Sequence, residues 1–177
     1  MSKIALSFAA QMEALPWASE EGRALTRRLS MVAHSATITD GEFARRVAEL
    51  ATRTVGEAVA QVPPQGTTVE DFLGEGQAGN YPTWVRDVVV TTALNRAAAR
   101  AANARSYAAR GNEGSPSDYS LAASAAAEAI GCAAGTAGAI AALAVAAEFG
   151  RNCTAGQPAS EAVRLSAVKT ALKILAA

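Results

Sequence analysis

Sixteen basic and sixteen acidic side chains balance across 177 residues, so no net field advertises nucleic acid or an anionic membrane. Apolar residues make up 50% and charged residues 18%, which excludes a disordered chain, while only 5% aromatics means a core of Ala, Val and Leu between closely spaced helices. Two cysteines, Cys132 and Cys153, and the single histidine His34 are too few ligands for a zinc centre. The cysteines are expected as free thiols in a cytoplasmic protein, because the apolar run in residues 1–11 is too short for a secretory signal. The preference for Arg over Lys, with the alanine excess, points to a GC-rich bacterial genome.

The spacing predicts a first helix over residues 2–15, ended by Pro16, with Ile4, Leu6, Phe8 and Met12 as packing residues. Ser19 then caps a second helix whose first turn carries Glu20 and Glu21, and Leu25, Leu29, Val32, Ala33 and Ala36 recur at helical spacing. His34 falls on the opposite side and is expected in solvent. Thr39 and Glu42 form a capping-box pair ahead of a third helix, whose inner face is Phe43, Val47, Leu50, Ala51, Thr54 and Ala58. Pro63 and Pro64 end it.

Residues 63–82 read as an irregular loop rich in Gly and Pro. Within it Gly74, Gly76 and Gly79 match the letters of a dinucleotide fingerprint. That fingerprint needs a preceding strand and a helix opening from the glycines, and Glu75 would face the phosphate. No cofactor is therefore expected.

Pro82 opens a helix expected over 83–110, with Val90, Leu94, Ala97, Ala101 and Ala108 inward and Arg86, Arg96, Arg100 and Arg110 in a neighbouring stripe. Gly111 is expected to end it. Residues 117–149 follow as a central helix made almost wholly of Ala, Gly and Ser, capped by Ser117. Gly131 and Gly135 form a G-x-x-x-G pair, the spacing by which helices approach closely, inside one bundle or across a homodimer. After a loop over 151–158, Ser160 and Glu161 start a last helix, with Val163, Ala167, Ala171, Ile174 and Leu175 on one side. The chain thus reads as all-α, a single domain of five or six helices around the Ala/Gly-rich segment.

Catalytic chemistry finds little support. There is no Gly-x-Ser-x-Gly elbow and no H-E-x-x-H, and the paired carboxylates sit at helix starts, where the macrodipole accounts for them. The expectation is a non-enzymatic binding module, an adaptor, inhibitor or immunity-type protein, with no metal. Its contact residues would be Arg86, Arg96, Arg100 and Arg110 with the aromatics Tyr81 and Trp84, and its partner a protein, of acidic character. The alternative is a self-assembling subunit built on Gly131 and Gly135. The run 129–147 is long enough to cross a bilayer, but it lacks flanking cations and an aromatic belt, so a membrane is disfavoured.

Overall fold

The computed structural model describes residues 2–60, 91–149 and 156–176. They form six helices: α1 (Lys3–Glu13), α2 (Glu20–Ser35), α3 (Asp40–Ala60), α4 (Thr91–Asn112), α5 (Asp118–Phe149) and α6 (Gly156–Ala176). Among the described residues there is no strand, and the all-α bundle expected from the sequence is what the chain builds. The 63–82 loop, with Gly74, Gly76, Gly79 and Tyr81, lies outside the described residues, as do Trp84, Arg86 and Cys153.

The first three helices start at side chains chosen for the purpose. Ser2 caps α1 by accepting from the Ala5 amide at 3.0 Å, and its hydroxyl also donates to Asp40 Oδ1 at 2.6 Å, fastening the start of α1 to the start of α3. Thr39 accepts from the Glu42 amide at 3.3 Å, but only half of the expected capping box forms. The Glu42 carboxylate turns to Arg45 and Arg46, whose charges outbid a neutral backbone amide.

α5 is the axis. It packs against α1, α3, α4 and α6, and its described side chains are buried on several sides, from Ala122 and Ala126 through Ile130 to Ala137. An alanine helix presents no bulk to hold neighbours away, so four helices surround it and burial replaces amphipathicity. The larger core residues come from elsewhere. Phe8 of α1 meets Phe43 of α3 edge to face at 5.7 Å, with Met12, Leu29 and Val47 also fully buried.

α4 and α5 form an antiparallel hairpin. Arg110 pairs with Asp118 near the turn and Arg100 with Glu128 farther along, one register throughout. The hairpin corrects the expected end of α4. Gly111 lies inside the helix, and the stop is made by Gly114 at φ 116°, with Ser115 N–H donating to Arg110 O and Gly114 N–H to Gly111 O. This is a Schellman closure, and its left-handed residue is the one position there that requires glycine. Gly111 serves packing instead, since a Cβ would run into the Tyr119 ring.

The start of α6 is a second correction. The helix begins at Gly156 rather than at Ser160, and it carries Pro158 in its first turn, where the missing N–H removes a donor that has no intrahelical acceptor. Gly156 crosses α5 at Gly138 so closely that a Cβ on Gly138 would come 2.7 Å from the Gly156 carbonyl oxygen. Among the described residues this is a tight glycine-on-glycine contact between two helix backbones.

Candidate functional site

On α4 the buried row is Ala97, Ala101, Ala104 and Ala108. The helical repeat then sets Asn95, Ala98, Ala99, Ala102, Ser106 and Ala109 on the outermost side, all exposed and none charged. Arg96, Arg100 and Arg110 border this stripe on one edge, and exposed Arg105 on the other. α4 contains four arginines and no acid over its 22 residues. Of the border arginines, Arg100 binds Glu128 at 2.9 Å and Arg110 binds Asp118 at 2.8 Å while lying 4.7 Å over the Tyr107 ring. Asp118 acts through its hydrogen bond to hold the Arg110 pKa above the ordinary guanidinium value. Arg96 and Arg105 have no ion pair among the described residues.

Gly131 and Gly135 of α5 have different surroundings. A Cβ on Gly131 would make ordinary contact with Leu15 at 3.4 Å, whereas one on Gly135 would meet nothing within 4 Å, and Gly135 is exposed. Within the chain the close crossing belongs to Gly138 instead. His34 is exposed as expected, its Nδ1 lying 2.8 Å from the Ser30 carbonyl. Cys132 is a half-buried free thiol whose pKa burial pushes up, which makes it a weak nucleophile. Among the described residues no group of three His, Cys, Asp or Glu is arranged to hold a metal.

The most unusual polar group is one the sequence reading passed over. The buried row of α6 runs Glu161, Arg164, Val168, Ala171 and Leu175, so two charged residues open an otherwise apolar stripe. Glu161 is 6% exposed, and its Oε1 accepts from the Ser19 amide at 2.8 Å and from the Ser19 hydroxyl. In a capping box the third residue of the helix supplies that carboxylate. In α2 the third residue is Gly22, which cannot, because Trp17 occupies the space a side chain would need. Glu161 therefore completes the box from another helix, and the Ser19 hydroxyl holds its carboxyl below the usual carboxylate range. Arg164 is also 6% exposed and lies with its guanidinium carbon 5.5 Å from the Trp17 ring centre. Its Nε is buried without a hydrogen-bond partner. Spacing contained the signal, since Glu161, Arg164 and Val168 share one helix face.

No family model, curated protein or solved structure matches the chain. The Asp118–Ala142 part of α5 is long and apolar enough to cross a membrane by composition, and 56% of that window is buried inside the bundle, as a core helix would be.

Proposed function

We propose that this chain is a non-enzymatic helical binding module that docks an acidic segment of a partner protein along the outer side of α4. The observation that carries the reading is the pairing of an exposed, uncharged small-residue stripe, from Asn95 to Ala109, with arginines on both of its edges. Alanine lets a partner helix approach closely, and guanidinium groups flanking the approach select carboxylates by charge and by bidentate geometry. Arg96 and Arg105, one on each edge, are the arginines of α4 without an ion pair among the described residues, so they are the ones to engage such a partner. A second α4 is a poor occupant, because arginines would then face arginines across a two-fold axis. We place the protein in the cytoplasm on the same reading.

The test compares the wild-type chain with Arg96→Ala/Arg105→Ala as baits for protein capture from the native host at low and high salt. A partner held by the wild type at low salt, released by salt and missed by the variant supports the module. The same proteins retained by both baits would refute it. Light scattering on the purified chain addresses self-assembly through exposed Gly135. A discrete oligomer dissolved by Gly135→Leu would move the assignment to a self-assembling subunit.

A further inference from the structure

A cavity of about 250 Å³ lies where the first turn of α6 crosses α5, lined by Pro16, Gly135, Gly138, Gly156, Ser160 and Arg164, with Gln157 at its edge. No acidic side chain among the described residues lines it. Its walls collect three features that favour an anion. The first turn of the 21-residue helix α6 brings backbone amides without intrahelical acceptors and the positive end of the helix dipole. Ser160 brings a hydroxyl. Arg164, a residue only 6% exposed, brings a guanidinium whose Nε is buried and unpartnered.

The buried Arg164 Nε is the independent observation, because a buried charged donor left without an acceptor is costly unless something answers it. The nearest acid on its own helix is Glu161, whose Oε1 is occupied by the Ser19 amide and hydroxyl. No carboxylate among the described residues forms a direct ion pair with Arg164; burial lowers its pKa from the usual guanidinium value, and the Glu161 charge opposes that through space. Trp17 contributes a π face at 5.5 Å, which holds the guanidinium in place without neutralising it.

We infer that this cavity is a binding site for a phosphate group, held by Arg164, Ser160 and the amino-terminal turn of α6. Phosphate suits the donor set because several oxygens accept at once from a guanidinium fork, a hydroxyl and helix amides. The cavity has room for the group and for little more than a small ester attached to it. The site stands apart from the outer side of α4, so either assignment can fail alone.

The experiment is thermal unfolding of the full chain with inorganic phosphate titrated against sodium chloride at matched ionic strength. Acetate serves as a parallel arm. Saturable stabilisation by phosphate is expected, reaching roughly 3–6 °C at about tenfold over Kd. Two variants locate it. Arg164→Met removes the cation, and Gly135→Leu places a branched side chain on the cavity wall at a position where a Cβ meets nothing within 4 Å, so the bundle keeps its packing. Loss of the phosphate shift in folded Gly135→Leu, with the wild-type response intact, supports the site even if Arg164→Met does not fold. A phosphate response that chloride reproduces, that Gly135→Leu retains, or that acetate alone elicits would overturn it.

Discussion

The same substitution at two glycines of one helix, three residues apart, should change stability in opposite directions. At Gly135 an alanine Cβ enters open space, so Gly135→Ala gains the intrinsic preference of alanine for a helix interior, about 1 kcal/mol. In a chain of 177 residues that raises Tm by roughly 2–4 °C. At Gly138 the same gain is opposed by contact with α6. The new Cβ would stand 2.7 Å from the Gly156 carbonyl oxygen and against the Ser160 side chain. Ser160 can rotate aside, but the carbonyl belongs to the first turn of α6 and moves only with the helix. Overpacking of this kind costs about 1–3 kcal/mol, so Gly138→Ala should lose up to about 2 kcal/mol net and lower Tm by up to roughly 4–8 °C. The assay is urea and thermal denaturation of both variants at several protein concentrations. Gly138→Ala melting at or above Gly135→Ala would refute the placement of α6 on α5.

Gly111→Ala should be destabilising by about 1–3 kcal/mol, because its Cβ would strike the Tyr119 ring, whose hydroxyl end also packs close to Gly41 of α3. In a Tyr119→Ala background the same change should turn neutral or stabilising, and a double-mutant cycle by urea denaturation reads the coupling. Acid should weaken the start of α3. Hydrogen bonds from Arg45, and then from Arg46, hold the Glu42 carboxyl down to about 2. A carboxyl depressed in the folded state adds stability above its unfolded pKa of about 4.3 and loses it as pH falls toward 2. Glu42→Gln should therefore flatten the stability profile between about pH 4.5 and pH 2, measured as urea midpoint against pH, and leave the neutral-pH dependence unchanged.

The legible parts of the fold were those whose information is local. The inner face of α3, Phe43 through Ala58, is buried residue for residue, and Ser19 and Thr39 each accept the amide that a cap should accept. The arginines of α4 were visible, but their acids were not. The antiparallel hairpin supplied them as Glu128 for Arg100 and Asp118 for Arg110. Helix period gives a residue its face, while only the crossing of two helices gives it a neighbour. Glycine shows the same limit. Gly131, Gly135 and Gly138 differ in nothing that composition can see, and the landing point of Gly156 decides which of them is in tight contact.

Arg164 is informative because of how the other arginines are treated. Seven of them, Arg23, Arg27, Arg45, Arg46, Arg53, Arg100 and Arg110, stand within 4.0 Å of a carboxylate, and all seven are exposed enough for water to share the charge. Such surface pairs are each worth little. Among the described residues, carboxylates thus stand in direct ion pairs with exposed arginines, while Arg164, 6% exposed, has Glu161 only through space. Packing alone does not require an arginine there, since an apolar residue would continue the row toward Val168 and Leu175 and cover Trp17 as well. A guanidinium held against Trp17 with its Nε unpartnered, on the wall of a cavity that the first turn of α6 also borders and that no acid among the described residues lines, is an arrangement that lacks an acceptor. Glu161, one turn away, offsets part of the Arg164 charge through space while Ser19 holds its Oε1, so what a ligand would answer is the buried, unpartnered Nε of Arg164.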